Sequence, residues 1–279
     1  MPISGYRFLV CEVFANPKQL ETSHMEPDFK QILGIRFYVG APEGLLRLVL
    51  RGGLFVVPSG PGLATLDQDV PYREALERSD VALTDSGFLV LLWLLRRGEL
   101  VGRISGLRLL RALLAVSEFR ERGRTFWIMP SEADAAANLA WLNSQGIPVE
   151  SADTYIAPNY PGGRLADPAL VAVLAARRPR FVMVNIGGGV QEKLGLHLRE
   201  SLDYTPAIIC TGAAIAFLSG QQARIPVWAD RMMLGWLFRC VSAPGRFIPR
   251  YVRTLRLVSL VFRYGPQPVR GRDGAVLGA

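Results

Sequence analysis

Histidine and cysteine are scarce in this chain, and their scarcity narrows the chemistry. Two histidines, His24 and His197, leave little for a histidine-built metal site or a catalytic triad. Three cysteines, Cys11, Cys210 and Cys240, stand far apart. A disulfide framework or a zinc ribbon needs closer, paired spacings, and a reducing compartment fits. Long apolar runs are missing too. The longest, Phe88 to Leu95 (FLVLLWLL), has eight residues, where a membrane-spanning helix needs about 20. No basic segment followed by an apolar one opens the chain. No signal peptide is expected, and the expected place is the cytoplasm, peripheral on the inner face of the cell membrane if the surface binds lipid. Disorder is excluded, because a chain of 279 residues that is 50% hydrophobic can bury a sizeable core.

Acidic residues are nearly absent from one stretch only. Residues 1–220 balance 22 Lys and Arg against 22 Asp and Glu, whereas residues 221–279 hold 10 Arg, 2 Asp and no lysine. The whole net charge of +8 therefore sits in the last fifth of the chain. Such a block prefers a polyanion: a membrane surface, a nucleic acid or the phosphates of a substrate.

What is present is an alternation of short apolar strands and amphipathic helices. Residues 1–31 are polar and weakly patterned, apart from a short strand-like run, Arg7 to Val13. Strands are expected at Gly34–Val39, Leu54–Val57, Val81–Thr84, Thr125–Met129, Arg180–Ile186 and Ala207–Cys210, with Val149–Tyr155 extended. Helices are expected at Pro42–Arg51, from Asp69 to about Arg78, at Phe88–Arg97, Leu107–Arg122, from Ser131 to Asn143, at Pro168–Ala176 and from Gln191. Asp69 before Pro71, and Ser131 before Glu132 and Asp134, are helix-start signals. Phe88–Arg97 reads as too apolar to be exposed and is expected in the core. The alternation implies an α/β fold, a mostly parallel sheet with helices on both faces, followed by a basic helical appendage over 221–279.

Four constellations could carry chemistry. Asp85 follows a buried strand and precedes a helix, so it is either a general base at the ligand-binding end of the sheet or a helix cap. Gly187-Gly188-Gly189, followed by Gln191 and Glu192, is either a ligand loop at a helix N-terminus or a plain turn; it lacks the glycine pattern of a dinucleotide site. Asp67-Gln68-Asp69 resembles a metal-binding pair, but its place before Pro71 favours capping. Phe247, Tyr251, Leu255, Val258 and Phe262 form one helical stripe, with Arg246, Arg250, Arg253 and Arg263 beside it. That pattern is either an interfacial membrane helix or one docked on its own domain. The apolar stripe and the lack of lysine argue against nucleic acid.

Taken in order, several segments resemble the WecG/TagA/CpsF glycosyltransferases, glycosyltransferase family 26, from about Ile32 to Tyr251. These are Ile32-Leu33-Gly34 as the opening strand, YREALERSDVALTD ending at Asp85, Arg103-Ile104-Ser105-Gly106, and VNIGGGVQEK. A further element is the C-terminal series of Gly220, Arg224, Pro226, Trp228, Trp236, Arg239, Pro244, Arg246 and Arg250. The resemblance implies a Rossmann-like core over 32–220, preceded by an extension over 1–31. It further implies a metal-independent, inverting transfer of a hexosyl or N-acetylhexosaminyl unit from a UDP-sugar to a polyprenyl-diphosphate-linked saccharide in cell-surface or exopolysaccharide biosynthesis. Asp85 would be the base; Arg103, Gly187, Gly188, Gln191 and Glu192 would hold the donor. Arg224, Arg239, Arg246 and Arg250 would neutralise the leaving diphosphate. Phe247, Tyr251, Arg253, Leu255, Arg256, Val258, Phe262 and Arg263 would meet an anionic membrane. No cofactor and no metal is expected, and family members often self-associate. Pro58, Gly60, Ser86, Ala216 and Gly235 depart from the family pattern. They motivate an alternative, a non-catalytic membrane-bound scaffold of a polysaccharide assembly complex.

Overall fold

The residues described, 28–221, 240–241 and 244–271 of a computed structural model, build one eight-stranded sheet. Its chain begins with a hairpin, β1 (Phe29–Ile32) and β2 (Ile35–Tyr38). The resemblance places an opening strand at Ile32–Gly34, but Leu33 and Gly34 form the turn. Both have positive φ, 56° and 80°, the backbone a two-residue hairpin turn of matching twist requires.

The elements that follow alternate as expected. They are α1 (Pro42–Val49), β3 (Gly53–Val56), α2 (Gly60–Leu63), α3 (Val70–Glu77), β4 (Val81–Leu83), α4 (Gly87–Arg97) and α5 (Gly106–Leu113). Next come β5 (Thr125–Met129), α6 (Glu132–Ser144), β6 (Thr154–Ile156), α7 (Pro168–Arg177), β7 (Phe181–Val184), α8 (Val190–Ser201), β8 (Ala207–Cys210) and α9 (Ala214–Leu218). The C-terminal pair is α10 (Pro244–Thr254) and α11 (Arg256–Tyr264). The strand order is β1-β2-β4-β3-β8-β7-β5-β6, antiparallel only at β1–β2. The central strands β3, β4, β7 and β8 are wholly buried, as parallel strands covered on both faces must be.

Alternate strand residues feed two cores. Leu54 and Val56 face a layer containing residues of α3, α4, α7, α8 and α11, while Phe55 faces one containing residues of α1, α5, α6 and α9. The start signals hold: Asp69 Oδ1 accepts from Tyr72 N at 3.0 Å, and Ser131 Oγ from Asp134 N at 3.1 Å. Three expectations fail locally. Leu107–Arg122 is helical only to Leu113, with a 3₁₀ turn at 118–120, and a second 3₁₀ turn at 151–153 interrupts the extended Val149–Tyr155.

The third is α4, which does not lie wholly in the core. Leu89, Leu92 and Trp93 pack inward, but Leu91 and Leu95 are 49% and 66% exposed. The run is apolar all round, so its periodicity gives no warning that only one side is covered.

The expected C-terminal stripe is divided between two helices at Leu255. Leu257, Leu260 and Val261 bury against the core. The chain then returns to the opening hairpin, where Leu33 N donates to Gly265 O at 2.7 Å and Gly34 N to Pro266 O at 3.2 Å.

Candidate active site

Four neighbouring strands, β4, β3, β8 and β7, end on the same side of the sheet. The loops after them, Thr84–Ser86, Val57–Ser59, Thr211–Ala213 and Asn185–Gly189, gather at that end, where open α/β sheets have their ligand crevice. The segment before α5 crosses this end. Ser105 caps α5 through Arg108 N at 3.3 Å. A Cβ added to Gly106 would meet Val57 Cγ1 at 3.3 Å and Thr211 O at 3.5 Å, so the element packs closely there.

This crossing delivers Arg103 to Asp85. Arg103 Nε donates to Asp85 O at 2.7 Å, and its Nη2 lies 3.7 Å from Asp85 Oδ1. The Asp85 side chain keeps 31% of its surface open. The cap of α4 is Ser86, whose Oγ accepts from Leu89 N at 3.2 Å. Asp85 therefore stands just outside the helix, and Ser86, a departure from the family pattern, supplies the cap. Arg103 meets the general-base residue of the expected site directly.

Across the crevice, Gly187 and Gly188 are exposed, and a Cβ on either would meet nothing within 4 Å. Gly189 has φ 91°, which favours glycine. The N-terminus of α8 follows with its positive dipole end, its first amides already engaged: Val190 N and Gln191 N donate to Gly187 O at 3.2 and 3.1 Å. Gln191 and Glu192 lie beneath this loop, both buried. Glu192 Oε2 accepts from Gly189 N at 2.6 Å and Oε1 from Gln191 Nε2 at 3.0 Å. Glu192 thus shapes the loop from below and does not reach the crevice. Gln191 Oε1 is buried without a hydrogen-bond partner. Two buried polar residues escaped the sequence reading: Thr211 Oγ1 donates to Asn185 Oδ1 at 3.3 Å, tying the ends of β8 and β7. The available signal was a polar side chain ending a wholly apolar strand, in RFVMVNI and AIICT.

Burial, more than any neighbour, pushes the Glu192 carboxyl above the ordinary carboxylate range. A group raised in the folded state contributes stability that is present below its unfolded pKa and is lost as pH rises through its folded pKa. Urea midpoints of the parent should therefore fall, relative to those of Glu192→Gln, as pH rises above the ordinary carboxylate range. Parallel pH dependences of the two would contradict this.

The other expected groups are distributed as follows. Arg256 Nη2 donates to Asp67 Oδ2 at 2.7 Å and Oδ1 at 3.1 Å, so it braces α11 on the core and does not point outward with the stripe. Asp69, besides capping α3, accepts from Lys193 Nζ at 3.2 Å. Among the described residues no three His, Cys, Asp or Glu are gathered to hold a metal ion. Arg224 and Arg239 lie outside the described residues, as do the side chains of Arg246, Phe247 and Arg250. The backbone of α10 packs on α2. A Cβ added to Gly60 would sit 2.8 Å from Ser86 Oγ and 3.2 Å from Thr254 Cγ2, so α10 ends beside the Asp85–Ser86 loop. Arg253, Leu255, Val258, Phe262 and Arg263 are exposed, and Tyr251 is half-buried.

The model of the glycosyl transferase WecG/TagA/CpsF family matches residues 30–270. Two relatives share the name N-acetylglucosaminyldiphosphoundecaprenol N-acetyl-beta-D-mannosaminyltransferase. That of Bacillus subtilis (strain 168) is 28% identical over 194 residues, 67% of this chain and 73% of its own. That of Bacillus spizizenii (strain W23) is 26% identical over 207 residues, 72% of this chain and 77% of its own. The match runs through the crevice, the glycine loop and the C-terminal helices alike, and the chain belongs to the WecG/TagA/CpsF family of glycosyltransferases.

Proposed function

We propose that the protein transfers an N-acetylhexosamine, N-acetylmannosamine foremost, from its UDP conjugate to a polyprenyl-diphosphate-linked N-acetylglucosamine, with inversion, in cell-surface polysaccharide assembly. The observation that carries this reading is Asp85. It keeps part of its side chain open at the strand-end face, stands outside the helix cap and is held by Arg103, on the same end of the sheet as an unobstructed glycine loop. The names of both relatives support the sugar and the lipid acceptor.

In the proposed reaction the acceptor hydroxyl attacks the anomeric carbon while an Asp85 carboxylate oxygen takes its proton. The bond to UDP breaks, and UDP leaves with the electron pair. The exposed Gly187–Gly188 backbone, at the positive dipole end of α8, suits the donor's phosphates. Arg246 and Arg250 on α10, with Arg224 and Arg239, would neutralise the departing charge, work that a divalent ion does in other transferases. The exposed stripe of α11, with Arg253 and Arg263, would hold the enzyme on the membrane carrying its acceptor.

The test is UDP release from UDP-N-acetylmannosamine and related donors, with a short-chain prenyl-diphosphate N-acetylglucosamine as acceptor. Acceptor-dependent release is expected. No release from any UDP-sugar would favour the scaffold reading that the altered positions motivate. A second outcome follows from the engagement of Asp67 by Arg256 and Asp69 by Lys193. Turnover should persist in excess chelator; loss that magnesium or manganese restores would overturn metal independence.

A further inference from the structure

The exposed side of α4 is the largest departure of the fold from its sequence, and it adjoins the C-terminal helices. Arg96, on α4, donates from Nη1 to the carbonyls of both Val261 and Phe262, so the two helices lie side by side. Each buries one face in the same core layer, Leu89, Leu92 and Trp93 from α4 and Leu257, Leu260 and Val261 from α11. Each turns the opposite face outward. Leu91 and Leu95 project from α4, Leu100 follows it at 78% exposure, Leu255 is exposed just ahead of α11, and Val258 and Phe262 project from α11. Exposed large apolar groups in this number mark a contact surface.

We infer that α4 is the catalytic core's own membrane-contact helix: its outward face and that of α11 form one apolar platform that docks on an anionic bilayer. This rests on the transferase reading for its biological sense. The occupant follows from charge. Neither 87–97 nor 244–264 contains an acidic residue, and Arg97, Arg253 and Arg263 are exposed among the apolar groups. Of the two carboxylates that flank α4 in sequence, Glu99 is occupied by Lys30 Nζ and by Trp93 Nε1, and Asp85 faces Arg103. Arginine beside bare leucine suits phosphate headgroups over acyl chains. A second copy of the chain fits worse, because a symmetric pairing through this face would set arginine against arginine. The platform also fixes an orientation. Helix α4 starts two residues after Asp85, so the base stands roughly one 11-residue helix, on the order of 16 Å, from the far end of the docking face.

The test compares the full chain with its Leu91→Gln/Leu95→Gln variant, two exposed positions whose change leaves the core intact. Vesicles of phosphatidylglycerol and phosphatidylcholine in equal parts are sedimented with each protein, and pure phosphatidylcholine vesicles serve as the uncharged control. The parent should partition onto the anionic vesicles, less so in high salt. The variant should bind roughly tenfold or more weakly, with unchanged UDP release on a water-soluble acceptor. Equal binding of parent and variant, or no binding by the parent, would overturn the inference. So would a variant altered only in oligomeric state by light scattering, which would give the face to a second copy. If vesicle binding behaves as expected but neither protein turns over, the docking stands and the transferase reading fails.

Discussion

Asp85→Asn should lower turnover by about 10² to 10⁴ while leaving donor binding nearly intact. The substitution keeps the shape of the side chain but removes its capacity to accept a proton. Arg103 Nε can still donate to the backbone oxygen of residue 85, and Ser86 still caps α4. Stability should therefore change little, which separates a chemical role from a structural one. The measurement is UDP release at saturating donor, with calorimetric binding of the donor as control. A stable variant of parental activity would remove Asp85 from the chemistry.

Arg103→Gln should be nearly as damaging, and it distinguishes two roles. The family resemblance gives Arg103 to the donor, whereas the structure places its guanidinium on Asp85. If Arg103 chiefly orients the base, kcat should fall by about 10² with the donor KM hardly changed, since a small misplacement of a catalytic group costs that much. Arg103→Lys should recover only part of the loss, because a point charge cannot donate to the Asp85 carbonyl and face its carboxylate in the same fork. A rise in donor KM at parental kcat would return Arg103 to the donor.

Features set by short stretches of chain were legible in the sequence. Asp69 and Ser131 cap helices through amides three residues on, and the glycine loop ends a strand whose apolar run is continuous. Asp85 and Gly187 could be singled out because each follows such a strand. Contacts between distant segments were not legible. Nothing in the sequence marks Arg256 for Asp67, or Gly106 for the floor of the crevice at Thr211. Glu192 reads as a polar residue at an open helix start, yet it folds inward because Gly189 N needs an acceptor. Helix α4 misled for the opposite reason: an all-apolar segment has no polar side to show which face stays bare.

The return of the chain from Gly265 to the opening hairpin bears on how the protein is made. The amides of Leu33 and Gly34 find their acceptors on residues more than two hundred positions later. At a synthesis rate of roughly 5–20 residues per second, the hairpin leaves the ribosome on the order of tens of seconds before those acceptors exist. Until then Leu33, fully buried in the finished fold, lacks its lid. A chain whose synthesis stops early thus carries an uncovered hydrophobic corner, which chaperones and proteases can recognise, and only a chain made through Val269 closes it.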